Sequence, residues 1–467
     1  MINEHSHWTL ADILDRGSDR WSSRVAVADA AGSSTYNELA DRSRRLANWL
    51  TTQGVEAGDR VLLSLPNSVR FVEALFAVQF AGAVSVPLDP TLALPQRQAI
   101  EQSATPKFAL DDNTPWEEAF NPSPIPSIVR RGPSDLAALM YTTGTTGEPK
   151  GVMLTHRNIF AALRNIIEFV GYTERDREVV TLPLSHNFGL GHVYCNLFVG
   201  GAVFLEPGLS RVGRVLKAIE SFGATGFPTT PLGVGLLLDR YGEVFAERAK
   251  GLRFMVVNSA PLPPERTAQL QKCMPKLDIM VYYGLTEASR STFISLSQEG
   301  PDRYASVGPA MNGVKVKLDE QGQVVIGGPT VTQGYWDSPE QTNQAIKSGE
   351  LHTGDLGRFD DDGYLYIVGR QNDLINLGGY KINPMTVERV VEGFVGVQEC
   401  GVAGVDAIKA FVVAETEFDE DALTRHCREY LQNHEVPSAF VCVDKLPRTD
   451  SGKLKRQDLL KLDCPIG

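Results

Sequence analysis

The run Leu136-Ala-Ala-Leu-Met140 leads directly into Tyr141-Thr-Thr-Gly-Thr-Thr-Gly-Glu-Pro-Lys-Gly151, and no other stretch constrains the chain as much. An apolar run entering a Gly/Thr-rich turn reads as a buried strand that ends in an anion cradle. Gly144 and Gly147 let backbone N–H groups turn toward phosphate oxygens. Thr142, Thr143, Thr145 and Thr146 add hydroxyl donors, and Lys150 adds a positive charge. A Thr/Gly-rich surface turn is the plain alternative on composition alone. A P-loop of the G-x-x-x-x-G-K-[ST] kind fails on spacing. Counting from Gly144, Pro149 stands where Gly belongs, and Lys150 is followed by Gly151. The loop is therefore expected to handle phosphate in some other way.

At 467 residues the chain is too long for one compact core, so two or more domains are expected. Its N-terminal part alternates helix and strand. Thr35-Tyr-Asn-Glu38 is a capping box, with Tyr36, Leu39, Ala40, Leu46, Ala47 and Leu50 on one helical face before Gly54. Arg60-Val-Leu-Leu-Ser-Leu65 reads as a buried strand, Ser68 to Ala81 as a helix ended by Gly82, and Val84-Ser-Val86 as the next strand. Strand–helix–strand repeats of this length predict parallel sheets covered by helices. Asp111 to Pro133, rich in Pro, Asn and Ser, reads as a long surface connection. Gly327 to Pro339 reads as turn-rich short β structure. Gly363-Tyr-Leu-Tyr-Ile-Val-Gly369 looks like a strand followed by the polar turn Arg370-Gln-Asn-Asp373. Beyond it, strand-like Ala410 to Ala414 and helix-like Ala422 to Asn433 predict a small α+β unit.

The formal charge of −12 argues against nucleic acid or an anionic membrane as partner, since both call for basic patches. Positive charge for a polyphosphate would then come locally, from Lys150, Arg370 and Lys453. The six cysteines are scattered without a C-x-x-C pair, which predicts free thiols in a reducing cytoplasm. Met1 to Trp8 has no basic start and no apolar core, so no signal peptide is expected. No run approaches the ~18 apolar residues of a membrane span.

The Tyr141–Gly151 stretch resembles the phosphate loop of the adenylate-forming superfamily: acyl- and aryl-CoA synthetases, peptide-synthetase adenylation domains and beetle luciferases. Four further stretches match that family in its order: Tyr282-Tyr-Gly-Leu-Thr-Glu-Ala288, Leu351-His-Thr-Gly-Asp-Leu-Gly357, Gly369-Arg-Gln-Asn-Asp373 through Gly378-Gly379, and Pro447-Arg-Thr-Asp-Ser-Gly-Lys-Leu454. The resemblance implies an α/β fold. A large N-terminal domain of helix-covered sheets with a β-rich subdomain, residues 1–371, would bind ATP and the acid. A small mobile α+β C-terminal lid, residues 372–467, would carry Lys453 and pivot at Asn372. It also implies a two-step reaction with ATP and Mg²⁺: carboxylate becomes acyl-AMP with loss of pyrophosphate, and a thiol then displaces AMP. Lys453 matches the family lysine that bridges carboxylate and α-phosphate; without the motif it would read as a solvated lysine beside Lys455 and Arg456. Glu287 is the implied metal ligand, a hard carboxylate for a hard cation. Thr286 would bond the α-phosphate, Tyr283 would lie on adenine, and Asp355 would accept from the ribose hydroxyls with Arg370 beside it. Asp360-Asp-Asp362 reads as a solvated turn rather than a metal site.

His186 aligns with a family aromatic or histidine that gates the carboxylate and thiol tunnel; a core histidine is the alternative. Asn187 stands where amino-acid-activating relatives carry an aspartate for the α-ammonium group, so an aryl acid is favoured over a free α-amino acid. Gly191, one helical turn on, would leave room in the acid pocket, with Ser259, Ala260 and Gly284 as further lining. Val257-Asn-Ser-Ala-Pro261 departs from the commoner Gly-rich lead into the proline, and Asn372 is neutral where the hinge usually carries Asp or Lys. Gly378-Gly379 belongs to the implied thiol channel, with a plain hairpin turn as alternative. Coenzyme A is the expected acceptor. A carrier-protein phosphopantetheine is the alternative, and a nucleotide-binding regulator without catalysis is the reading from another class.

Overall fold

The computed structural model describes residues 8–125, 127–143, 149–377, 380–405, 407–414, 419–449 and 454–463. The phosphate-loop core Gly144, Thr145 and Thr146, the glycines Gly378 and Gly379, and Lys453 lie outside these residues.

The expected starts and stops of the first helices are present. Thr35 Oγ1 accepts from the Glu38 N–H, and the Glu38 carboxylate accepts from the Thr35 N–H at 2.8 Å, which opens the helix Tyr36–Thr52. Ser68 caps the helix Val69–Phe80 by accepting from the Phe71 N–H, and Gly82 follows with a φ of +70°. Phe71 through Phe80 are all buried, because this mostly apolar helix lies within the core, with Glu73 paired to Arg42 and Gln79 bonded to Ala137 O.

Strands β1 (Val25–Asp29), β2 (Gly32–Thr35), β3 (Arg60–Leu63), β4 (Val84–Pro87), β5 (Phe108–Leu110), β6 (Leu136–Thr143) and β7 (Pro149–Thr155) come first in the chain. They are followed by β8 (Arg177–Val180), β9 (Ala202–Leu205), β10 (Gly226–Thr229), β11 (Phe254–Val257), β12 (Asp278–Leu285) and β13 (Ala288–Ser295). One sheet has the order β5-β3-β4-β6-β7, parallel until β7 turns back antiparallel on β6. The other has the order β13-β12-β11-β10-β8-β9-β1-β2, parallel between antiparallel pairs at both edges. Each parallel run therefore closes on a hairpin, β6–β7 or β12–β13. The stretch Asp111 to Pro133 is not wholly a surface connection: Pro115 opens a short helix, Trp116–Ala119, and Trp116, Ala119 and Ile128 are buried. Apolar anchors inside a Pro- and Asn-rich segment override its composition.

By packing, the chain divides into two compact units. The first holds residues up to Asn258 with Leu262–Val316 and Ile326–His352; the second holds Ser259–Pro261, Lys317–Val325 and the chain from Thr353 onward. In the second unit Glu350–Phe359, from Thr353 on, pairs with Leu365–Arg370 as a hairpin. A three-stranded sheet of Val397–Gly404, Ile408–Ala414 and Ala439–Cys442 packs with the helices Pro384–Glu392 and Glu420–Tyr430 around Ile382, Val387, Val402, Val412 and Leu423. The five described cysteines other than Cys464 are free thiols, and among the described residues no helix is long and apolar enough to cross a membrane.

One buried histidine fixes the N-terminal helix to the core. His156 opens the helix His156–Val170 and is almost fully buried, with its Nδ1 accepting from the Leu10 N–H at 3.1 Å. Burial, with Arg131 nearby, pulls its pKa down to about 4. The unfolded chain takes up this proton near pH 6.5 and the folded chain only near 4. Stability held above pH 6.5 is thus lost as the pH falls toward 4, by on the order of 3 kcal/mol. Urea unfolding should show that slope, and His156→Gln should flatten it while lowering stability at pH 7. An unaltered slope in the variant would assign the pH dependence elsewhere.

Candidate active site

The β6–β7 hairpin pairs Thr142 with Lys150 and the backbone of Thr143 with Pro149, so the two strands run side by side up to the phosphate loop. The β12–β13 hairpin pairs Leu285 with Ala288 and leaves Thr286 and Glu287 at its two-residue tip, both half-buried. Tyr283 and Gly284 sit on β12 just before that tip.

The segment from Pro329 to Trp336 joins the two hairpins. The Met153 N–H donates to Gly334 O at 3.0 Å, and the Trp336 N–H donates to Gly151 O at 2.8 Å, both along β7. The Thr332 N–H donates to Glu287 O at 2.8 Å, and the Tyr335 hydroxyl donates to Glu287 Oε1 at 2.8 Å. Asn158 holds the start of the segment by donating to Pro329 O and Val331 O. Lys150 Nζ lies 5.5 Å from the centre of the Tyr335 ring. Lys150, Tyr335 and Glu287 are therefore one array: a cation from the phosphate loop, an aromatic ring, and a carboxylate aimed by that ring's hydroxyl. Burial and the neighbouring Glu287 carboxylate push the Tyr335 phenol far above its ordinary pKa, so it stays a donor. Sequence reading missed Tyr335. Its only signal was an aromatic residue in a turn-rich stretch.

Among the described residues no cluster of three or more His, Cys, Asp or Glu side chains is placed to hold a metal ion. Glu287 nonetheless fits magnesium. It is a hard, half-buried carboxylate with one oxygen already oriented, and Mg²⁺ commonly binds through one protein carboxylate plus substrate phosphates and water.

The expected acid-pocket residues of the first unit converge on a side chain that sequence reading passed over. The helix Asn187–Val199 begins with Asn187 half-buried after the exposed His186, its N-cap. Gly191 is buried, and a Cβ there would lie 2.1 Å from Arg290 Nη2. A Cβ on Gly284 would lie 2.6 Å from the Arg290 backbone nitrogen. The room expected at Gly191 is not open: the Arg290 guanidinium fills it. A signal existed: Arg290 is the one charged residue in Ala288-Ser-Arg-Ser-Thr-Phe-Ile294. Tyr282, on β12, lies with its ring 5.3 Å from that guanidinium. Burial raises its phenol pKa, partly offset by Arg290 and by a hydrogen bond with Asn258.

In the second unit Asp355 is buried and accepts from Arg370 Nε at 2.7 Å across the hairpin, where the two residues are direct partners. The two residues that the sequence reading assigned to the ribose are thus bonded to each other. Asn372 is exposed in the short 3₁₀ turn Gln371–Asp373. Ser259 and Ala260 follow β11, and Ser259 takes a φ of +88°. That is a backbone glycine adopts freely and serine adopts under strain, which accounts for a Gly-rich lead being the commoner sequence. Asp360 Oδ1 accepts from the Asp362 and Tyr364 N–H groups, the turn expected of the acidic triplet.

The chain matches the AMP-binding enzyme family over residues 14–336 and that family's C-terminal domain over residues 386–453. It is 32% identical to a feruloyl-CoA synthase of an Amycolatopsis species over 93% of this chain and 95% of that one. It is 30% identical to a 2-succinylbenzoate–CoA ligase of Bacillus licheniformis, over 98% of this chain and 100% of that one. The o-succinylbenzoate coenzyme A synthetase of Bacillus subtilis, solved with ATP and magnesium ion, superimposes with a TM-score of 0.86 at 27% identity, covering 96% of this chain and 99% of that one.

The array makes one clear demand. Tyr335→Phe removes the hydroxyl that aims Glu287 while keeping the ring under Lys150. Supporting hydrogen bonds of this sort are worth about 10–100-fold in metal affinity. Half-saturating Mg²⁺ in ATP-dependent turnover should rise by that factor with the fold intact. An unchanged Mg²⁺ midpoint would reduce the bond to a packing contact.

Proposed function

This chain belongs to the AMP-binding enzyme family, and from that premise we propose an aryl acid as its substrate and coenzyme A as its acceptor. The enzyme is an AMP-forming acid–thiol ligase. A carboxylate oxygen attacks the α-phosphorus of ATP and pyrophosphate leaves. The sulfur of the thiol then attacks the acyl carbonyl and AMP leaves. The observation that carries the placement of this chemistry is the Lys150–Tyr335–Glu287 array, one hairpin tip away from the pocket around Asn187, Gly191 and Gly284.

Attack of a carboxylate on a phosphate brings two anions together, so the residues must supply positive charge where it develops. In this reading Lys150, with Thr142, Thr143, Gly144, Thr145 and Thr146, holds the polyphosphate. Thr286 donates to the α-phosphate, and Tyr283 covers the adenine. Asp355 accepts from the ribose with Arg370 fixing its carboxylate. Glu287, together with the nucleotide's own phosphates, would hold magnesium, which would supply further positive charge against the pyrophosphate leaving group. Lys453 enters to bridge carboxylate and α-phosphate, then withdraws by rotation about Asn372 so that Gly378 and Gly379 can line the thiol channel. His186 stands at the mouth of the acid pocket.

The aryl preference rests on Asn187. Its side chain is neutral, and the guanidinium of Arg290 bonds the Asn187 carbonyl. An α-ammonium group there would be desolvated beside a like charge with no anion to pair it, a cost of several kcal/mol. Coenzyme A is favoured by the relatives named for CoA ligation.

Two measurements follow. In Lys453→Ala, acid-dependent pyrophosphate exchange should fall by orders of magnitude, because a contact made in the transition state is lost. Thioester formation from preformed acyl-AMP should suffer far less. An equal loss in both half-reactions would make Lys453 structural. Separately, an exchange panel should rank aryl acids above every proteinogenic amino acid by about 100-fold or more, the scale of several kcal/mol. A panel led by an amino acid would overturn the reading of Asn187.

A further inference from the structure

The helix Asn187–Val199 is buried all round from Gly189 to Leu197. Apolar contact has no direction, so it holds such a helix in the core without fixing how the chain enters it. Directed bonds do that here. Along the body, Glu178 is fully buried and accepts from Asn196 Nδ2 at 2.6 Å, with His192 Nδ1 3.1 Å from the same carboxylate. Ahead of it, the segment Leu182–Phe188 brings in His186 and Asn187, and two side chains from distant parts of the chain hold that segment.

Asn67 holds the leading end. It is buried just before the helix Val69–Phe80. Its Nδ2 donates to Leu182 O at 2.8 Å and to Glu206 O at 3.0 Å, and its Oδ1 accepts from the Leu184 N–H at 2.9 Å. The amide thus spends both donors and its acceptor on backbone groups far along the chain. The segment then folds back on the helix start, where the His186 N–H donates to Pro183 O at 3.1 Å. Gly189 permits this, since a Cβ there would lie 2.6 Å from Pro183 O.

Arg290 holds the trailing end. It is 1% exposed, and its Nη2 donates to Asn187 O at 2.9 Å and to Phe188 O at 3.3 Å, while its Nη1 donates to Ser289 Oγ at 2.5 Å. A charged donor makes such bonds stronger than a neutral one would. The backbone is built for this reach. Between the pairs Tyr283↔Thr292 and Leu285↔Ala288 the register shifts, so β13 bulges opposite Gly284. Arg290 lies in the bulge with a φ of +56°, uncommon for a long side chain, and Asn165 steadies it by donating to Arg290 O at 3.2 Å. Bulges re-aim side chains. This one sends a guanidinium into the space beside Gly191 and onto the helix start.

We propose that Asn67 and Arg290 are positioning residues for the acid substrate: bonded to the two ends of the segment Leu182–Phe188, they set His186 and Asn187 in place before the acid arrives. This rests on the acid-activation reading above, which puts those two residues at the acid, and deepens it. Asn67 and Arg290 act through backbone carbonyls and not on the substrate itself. A segment held at one end could still swing about the other, so both are required.

Two measurements test this. Hydrogen exchange on the unaltered enzyme reads the segment directly. Peptides covering residues 182–190 should exchange slowly without acid. Saturating benzoate or 4-hydroxybenzoate, whichever leads the exchange panel, should slow them further by less than about threefold. Fast exchange without acid, or a larger slowing on adding it, means that the substrate builds the segment, and overturns the proposal whether or not any variant folds. In pyrophosphate exchange, Arg290→Gln and Asn67→Ala should each raise the KM for that acid by about tenfold or more, the scale of a lost hydrogen bond to a buried group. The KM for ATP should stay within about twofold. Leu39→Ala, a truncation in the fully buried face of the helix Tyr36–Thr52, should lower Tm without moving either KM. Equal rises in both KM values, or the same acid KM rise in Leu39→Ala, would reduce Asn67 and Arg290 to general supports of the fold. An unchanged acid KM in a folded Arg290→Gln or Asn67→Ala protein overturns the proposal as well. If no acid supports exchange at all, the acid-activation reading fails first and carries this one with it.

Discussion

The chemistry of the first unit depends on the segment Pro329–Trp336 being laid across two hairpins that belong to different sheets. β7 and the tip at Glu287 are far apart in sequence, and among the described residues no strand pairing joins their sheets. Three backbone hydrogen bonds and the Thr332 hydroxyl, which donates to Met153 O, fix this segment between them. Thr330 and Thr332 are buried and Val331 nearly so, which keeps water from competing for those bonds. With the segment in place, the Tyr335 ring lies under Lys150 and its hydroxyl meets Glu287. Without it, the cation and the carboxylate would each sit on a hairpin end with nothing to set their separation.

Much of the fold was legible because local chemistry and global packing agree. The Thr35–Glu38 box, the Ser68 cap with Gly82, and the apolar run into Tyr141 all specify their element from a few residues, and each appears where its pattern puts it. The failures share a cause. Trp116, Ala119 and Ile128 are buried inside a segment whose composition is that of a loop, and only the neighbouring helices decide that. Tyr335 and Arg290 were invisible for the same reason. Their roles arise from contacts across about 48 and 103 residues of chain, to Glu287 and Asn187, and no periodicity encodes such contacts. Motif reading picks out residues by local pattern, and it passed over those whose place is set by packing between distant parts of the chain.

Net charge and local charge pull in opposite directions in this molecule. The chain carries −12 overall, yet the places assigned to ATP and acid are marked by Lys150, Arg370 and Arg290. Each of these is set in its own way: Lys150 over a ring, Arg370 on the Asp355 carboxylate, and Arg290 on two backbone carbonyls and the Ser289 hydroxyl. The first two have partners that remain in place when a ligand arrives. Arg290 has only neutral ones among the described residues.

The small unit faces a different constraint. If Lys453 is to be delivered and withdrawn by rotation, the loop that bears it has to be fixed to its own unit, since a loosely tethered lysine would gain nothing from the movement of the rest. The described residues on both sides of it are fixed. Arg448 bridges to Leu454, and the Lys455 N–H donates to Pro447 O at 2.8 Å, closing the base of the loop. Arg456 is tucked into the unit, ion-paired with the buried Glu388 and donating to Val402 O, while the Glu388 carboxylate also accepts from the Val402 N–H at 2.7 Å. In what reads in sequence as a basic tail, Arg456 is a buried structural cation: it anchors the chain after Leu454 to the sheet and helix beneath it through its pairing with Glu388.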